Sequence, residues 1–235
     1  MEDPSKLVVD SEVVVFSIPP QSPTMENSSS ELEGKGQDSE AFRGQASGKD
    51  NLGVSRENPK GSPRHTRVLF IGDIMCHGEQ LKHAKKDSSW EFRTQFQRIK
   101  PYMTDSMVVG NLETTFAGDK AKYSGYPTFN TPDSLATALV DLGVHIVTLA
   151  NNHIFDKGNA GAQRTIEVLD ANGIIWTGLG TQTILSNQPL LLEYDGIKWA
   201  LLNYSYGSNT SLPKADKPEN LRLNVISEES VLEGL

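Results

Sequence analysis

The sequence predicts an α/β fold, a largely parallel β-sheet built from strand–helix–strand crossovers and preceded by a low-complexity tail. From Arg67 onward, short β-rich apolar runs alternate with longer stretches whose apolar residues fall at helical spacing. Residues 1–66, by contrast, hold 11 Ser, 6 Gly and 6 Pro, which favour turns and flexible backbone. Near the other end, two apolar runs flank Asp195-Gly196, the strongest short-range signal for a tight antiparallel hairpin.

Taken in chain order, residues 1–66 read as a disordered tail, because ordering costs on the order of 1.5 kcal/mol per residue and few aromatics repay it. Its one apolar cluster, Val13 to Phe16, is suited to a transient strand or to docking a partner. Residues 67–235 read as one domain. Val68-Leu69-Phe70-Ile71 predicts a strand buried on both faces and stopped by Gly72-Asp73. Trp90, Phe92, Phe96 and Ile99 predict a helix over 90–102, ending near Pro101. A second strand is expected over 107–109, running into Gly110-Asn111. Leu135, Ala138, Leu139 and Leu142 then mark a helix that Gly143 stops. A third strand covers 146–150. The next helix covers 160–172, with Asn159 as its cap, and a fourth strand covers 174–177. Hairpin strands over 190–194 and 198–204 follow, and residues 225–235 open a further segment.

With 22 Lys+Arg against 30 Asp+Glu, the net charge of -8 argues against a broad cationic surface for nucleic acid. The longest apolar runs fall well short of the roughly 20 residues that cross a bilayer. The Met-Glu-Asp opening and the interrupted Val-rich stretch do not form a secretory signal, so direct reading favours the cytoplasm. A single cysteine, Cys76, rules out an internal disulfide framework and a multi-cysteine zinc site; it reads as a small packed thiol.

In open α/β sheets, ligands collect outside the carboxyl ends of the strands. Here those ends carry Asp73, then Asn111 and Glu113, then Asn151, Asn152 and His153 with Asp156 just beyond. Carboxylate, amide oxygen and imidazole suit hard or borderline divalent cations such as Mn, Mg, Fe or Zn. Each residue also has a plainer use: Asp73 and Asn111 as turn residues, Glu113 as a solvated side chain, His153 as a loop histidine, Asp156 as a cap before the following helix. Convergence at three strand ends is what favours a site. His77, one turn beyond Asp73, is the weaker candidate. Nucleophilic and nucleotide-binding alternatives lack their signatures: position 74 is Ile rather than Ser, no Gly-x-Ser-x-Gly elbow occurs, and Gly178-Leu179-Gly180 lacks the third glycine of a dinucleotide loop.

Gly72-Asp73-Ile74-Met75, Gly110-Asn111-Leu112-Glu113 and Ala150-Asn151-Asn152-His153, followed by Asp156 and Gly158, together resemble the CapA or PgsA-type family of capsule and poly-γ-glutamate biosynthesis. Phe129-Asn130-Thr131-Pro132 extends the match, which covers residues 67 to 205. The resemblance implies a calcineurin-like metallophosphoesterase sandwich, α/β/β/α, with two metals about 3.5–4 Å apart in a full-length form. It implies Asp73, Asn111, Glu113 and Asn152 as metal ligands and His153 as the catalytic group beside a phosphoryl oxygen. An acidic polymer or phosphorylated substrate, membrane-bound polymer synthase partners and a place in the cell envelope are implied with them. Where the phosphoesterases have Asp-x-His, this chain has Asp73-Ile74-Met75, and a thioether is a poor ligand for a hard cation. The family pattern continues with histidine-bearing stretches that this sequence does not reach. The expectation is therefore the N-terminal half of the sandwich, with an incomplete metal site and an uncovered sheet edge. Three readings stay open: a capsule-pathway protein with a phosphoesterase-like site, a metal-dependent phosphoesterase outside capsule synthesis, and a non-catalytic polymer-binding protein.

Overall fold

Alternating β-branched and apolar residues place Val108 and Leu112 on one side of a strand and Met107 and Val109 on the other, and both sides are buried. That strand is the second of a central sheet in a computed structural model that describes residues 16–17, 66–181, 187–214, 217 and 219–233. The expected tail lies outside the described residues, except for Phe16 and Ser17.

In chain order the elements are β1 (Phe16–Ser17), β2 (Val68–Ile74), α1 (Gly78–Ala84), β3 (Lys85–Lys86), β4 (Ser89–Trp90), α2 (Arg93–Phe96), β5 (Met107–Leu112), α3 (Ser134–Leu142), β6 (Ile146–Thr148), α4 (Gly158–Ala171), β7 (Ile175–Thr177), β8 (Leu179–Gly180), β9 (Leu190–Tyr194), β10 (Ile197–Leu201), β11 (Arg222–Leu223) and α5 (Glu228–Glu233). The central sheet runs β2-β5-β6-β7 with every pair parallel. A second sheet, β1-β9-β10, is built on the predicted hairpin: Asp195 and Gly196 have φ of 54° and 72°, the twin positive values of a type I′ turn. Of the cluster Val13 to Phe16 only Phe16 lies among the described residues, and it pairs in parallel with Leu192.

Two apolar clusters follow. On one face of the central sheet, Val108, Leu112 and Val147 meet Leu81 of α1, Leu135, Leu139 and Leu142 of α3 and Leu169 of α4. On the other face, Met107, Val109 and Ile146 meet Leu190, Leu192 and Tyr194 of β9. Crossover logic alone would put helices on both faces; the second face is covered by a sheet instead, giving helix, sheet and sheet layers. Gly143 closes α3 in the left-handed region at φ 96°. Cys76 is buried, and burial pushes its thiol up to about 11, consistent with a packed thiol. No helix among the described residues is long and apolar enough to cross a membrane.

The structure corrects four local expectations. β2 is an edge strand rather than one buried on both faces: Val68 packs between the sheets, but Phe70 is 71% exposed. The helix expected over 90–102 breaks up. Trp90 is drawn into a two-strand ribbon with Lys85, Glu91 accepts the Arg93 backbone N–H at 2.6 Å, and a 3₁₀ turn, Lys100–Tyr102, replaces the last α-turn at Pro101, which has no N–H to give. Asn159 does not cap α4; it accepts the Leu221 backbone N–H at 2.9 Å, and Lys157 stands at the cap. Finally, β5 continues three residues past the predicted end, so Asn111 lies within a strand.

Candidate functional site

A backbone irregularity starts the site. Val68, Leu69 and Phe70 pair with Met107, Val108 and Val109, and then the register shifts so that Asp73 faces Asn111. Gly72 absorbs the shift at φ 72°, in the left-handed region that favours glycine. Bulges of this kind re-aim side chains at strand ends, and this one brings an exposed carboxylate against the second strand.

Asn111 is the centre of the polar cluster. Its Nδ2 donates to Asp73 Oδ1 at 2.9 Å and to Glu113 Oε2 at 3.2 Å, so one amide group holds two carboxylates. Its Oδ1 accepts from Thr148 Oγ1 at 3.3 Å and from Asn151 Nδ2 at 3.1 Å. The second partner fixes which way the amide points, because Asn151 Nδ2 also donates to the Leu112 carbonyl at 2.9 Å while Asn151 Oδ1 accepts the His153 N–H at 3.0 Å. Asn151, 5% exposed, thereby ties the turn after β6 to β5. Below it the Ala150 N–H donates to Asn203 Oδ1 at 2.7 Å. Gly178 permits that approach, since a Cβ there would sit 2.5 Å from the Ala150 nitrogen.

His153 enters from the same turn with its ring buried. Nδ1 lies 2.8 Å from Asp156 Oδ2, an oxygen that also accepts the Phe129 N–H at 2.6 Å. A carboxylate at Nδ1 places the proton there, leaving Nε2 as the lone-pair nitrogen of the neutral ring. Nε2 stands 3.9 Å from Glu113 Oε1 and 3.3 Å from Asn209 Nδ2. Phe129 packs edge-on against His153 at 4.7 Å and against His77 at 5.1 Å, so His77 reaches the cluster only through that ring. Asp156 Oδ1 is buried and has no hydrogen-bond partner among the described residues. Burial, with Asp73 alongside, pushes the Glu113 carboxyl above the usual carboxylate range, and His153 only partly offsets this.

Asp73, Asn111, Glu113 and His153 are thus contiguous, joined across the ends of β2, β5 and β6. Asn152 joins through its backbone: its carbonyl accepts the Asn209 N–H at 2.9 Å, while the neighbouring Asn151 provides the inward amide. Asp156 binds the histidine and the Phe129 backbone rather than capping α4. Asn209 and Asn203 carry no signal in the sequence; they come from the polar stretch after β10, far from the strand-end motifs.

Among the described residues, no group of three His, Cys, Asp or Glu side chains forms a cluster able to hold a metal ion. A divalent cation kept by two carboxylates and completed by substrate phosphate and water, the usual manner of Mg²⁺, does fit the donors present. Asp73 and Glu113 face a shared donor, and Asp73 adds to the burial that raises the Glu113 carboxyl. The Asn111 oxygen is committed to Thr148 and Asn151, so in this geometry the residue braces the carboxylates.

The family model described as bacterial capsule synthesis protein PGA_cap matches residues 67–230. Capsule biosynthesis protein CapA of Bacillus anthracis is 24% identical over 155 residues, which is 64% of this chain and 36% of that protein. A probable polyglutamine synthesis accessory protein of Mycobacterium tuberculosis is 26% identical over 131 residues, covering 55% of this chain and 34% of its own length. An uncharacterized protein of Sinorhizobium fredii is 31% identical over 144 residues, 54% of this chain and 31% of the relative. The chain therefore spans about a third of the length of the curated relatives it matches.

Proposed function

The chain belongs to the bacterial capsule synthesis protein family PGA_cap, of calcineurin-like fold, and we propose that it serves capsule biosynthesis through a divalent-cation-dependent phosphoesterase site at the strand ends. One observation carries the reading: a single amide, Asn111, holds Asp73 and Glu113 together beside the Nε2 edge of His153. A cation bound there would supply Lewis acidity toward a phosphoryl oxygen and an attacking water. Asp73 and Glu113 would hold it. Asn111 donates to both and holds them side by side. Asp156 keeps the His153 ring in one tautomer, so the Nε2 lone pair would take a proton from the attacking water and return it to the leaving oxygen, work worth typically 10²–10⁴-fold.

The substrate class is a phosphorylated or polyanionic intermediate of an acidic polymer, and the setting is the cell envelope beside a membrane-bound polymer synthase. Support for the pathway comes from the family and from the names of the Bacillus and Mycobacterium relatives, a capsule biosynthesis protein and a probable polyglutamine synthesis accessory protein. Met75 favours a second reading, a non-catalytic polymer-binding protein, because it stands where a phosphoesterase would offer imidazole. Hydrolysis of a phosphomonoester and a phosphodiester with added Mn²⁺ separates the two. The catalytic reading expects turnover that falls at least a hundredfold in His153→Ala. Absence of turnover in the wild-type protein while it retains an acidic polymer would replace it with the binding reading.

A further inference from the structure

We propose that Asn209 is a positioning residue of this site, which holds the His153 ring in place through its contact with Nε2. The inference rests on the reading of His153 as the proton-exchanging group and adds to it a residue from outside the strand-end motifs.

The loop that carries Asn209 is tied down at both ends. At its base the Ser205 N–H donates to the Asn224 carbonyl at 2.8 Å, and the Ile226 N–H donates to the Ser205 carbonyl at 2.8 Å. At its tip the Asn209 N–H donates to the Asn152 carbonyl at 2.9 Å, and Thr210 Oγ1 donates to the Phe155 carbonyl at 3.0 Å. The loop therefore grips the turn carrying His153 on either side of that residue. Between the two grips, Asn209 sets its amide 3.3 Å from Nε2.

The chemistry of the contact follows from the other end of the ring. Asp156 occupies Nδ1 and holds the proton there, so Nε2 accepts and the amide presents its N–H₂. A histidine restrained at both nitrogens keeps its ring plane and its approach to Glu113, and held geometry of this kind is where positioning contributes to rate. Burial does not account for the arrangement, because Asn209 is exposed as a residue. A side chain recruited only to fill space would be enclosed by its neighbours; this one is in contact with solvent while its amide meets an imidazole nitrogen.

The test reads the imidazole directly. With ¹⁵N-histidine in the full chain, long-range ¹H–¹⁵N spectra should show His153 as the Nδ1–H tautomer with a hydrogen-bonded Nε2. Asn209→Ala, which removes the amide, and Asn209→Leu, which keeps its bulk without the donor, should both move the Nε2 resonance downfield and leave the His77 and His83 resonances in place. In Mn²⁺-dependent hydrolysis of a phosphomonoester, both variants should lose roughly ten- to a hundredfold in kcat with KM little changed. An Nε2 resonance unmoved in both folded variants would overturn the proposal, as would leucine restoring the wild-type signal and rate. If wild-type protein hydrolyses nothing while both variants still move Nε2, the positioning of His153 stands and the phosphoesterase reading is what fails.

Discussion

Glu113 shows what the site costs the protein when no cation is held. Its carboxyl is pushed up by burial and then by Asp73, so between the ordinary carboxylate value and its own raised value the folded state binds more protons than the unfolded state. Stability then falls as pH rises through that window, and the ionised carboxylate opposes folding above it. Glu113→Gln keeps an oxygen acceptor for Asn111 and removes the charge. We expect it to raise the Tm of metal-free protein near about pH 7, with the gain fading toward about pH 4, where glutamate is itself protonated. A Tm difference independent of pH would contradict this origin. Burial likewise raises the thiol of Cys76, which packs in the apolar core and has no part in the cluster.

At the scale of elements, the bulge in β2 is the device that makes a site out of a strand end. Gly72 sits at φ 72° with open space where a Cβ would be, so Gly72→Ala incurs about 1–2 kcal/mol of backbone strain without a clash. Gly173 has φ 68° and equally open space, but it follows α4 rather than leading into Asp73. Both alanine variants should lower Tm by similar amounts, and only Gly72→Ala should weaken Mn²⁺ binding; equal Mn²⁺ affinity in the two would show that the bulge does not aim Asp73. The hairpin at Asp195-Gly196 and the stop at Gly143 were legible in the sequence because local backbone demands set them. The helix expected over 90–102 was not, because its outcome turned on Glu91 capping a four-residue turn and on Trp90 pairing with Lys85, contacts that periodicity does not carry. Asn159 misled for a related reason: its oxygen is taken by Leu221, some sixty residues later in the chain.

For the whole molecule, the central sheet is the wall between two cores, and the strand-end residues inherit their positions from both. Alternation along β5 was readable as apolar sequence, but that a sheet covers the second face came only from the resemblance, which implied an α/β/β/α sandwich, since the hairpin sheet and a helix present the same apolar demand. Leu192, 1% exposed between the sheets, tests that packing: Leu192→Ala should cost about 2–5 kcal/mol. Denaturant unfolding measures it, and a loss under about 1 kcal/mol would mean the second sheet is not seated on the first. Of the candidate site, Asp73, Asn111, Glu113 and His153 could be named from the sequence because strand ends in α/β sheets converge. Asn209 and the bracing role of Asn111 could not, since hydrogen-bond direction is fixed only once Thr148 and Asn151 are in place.

The most direct measurement is Mn²⁺ binding to the wild-type chain, to Asp73→Asn with Glu113→Gln, and to Asn111→Leu, by titration calorimetry with circular dichroism to establish folding. One bound ion is expected in the wild type, none in the double variant, and weakened binding in Asn111→Leu because the two carboxylates lose their common donor. Undiminished binding by the folded double variant would contradict this expectation.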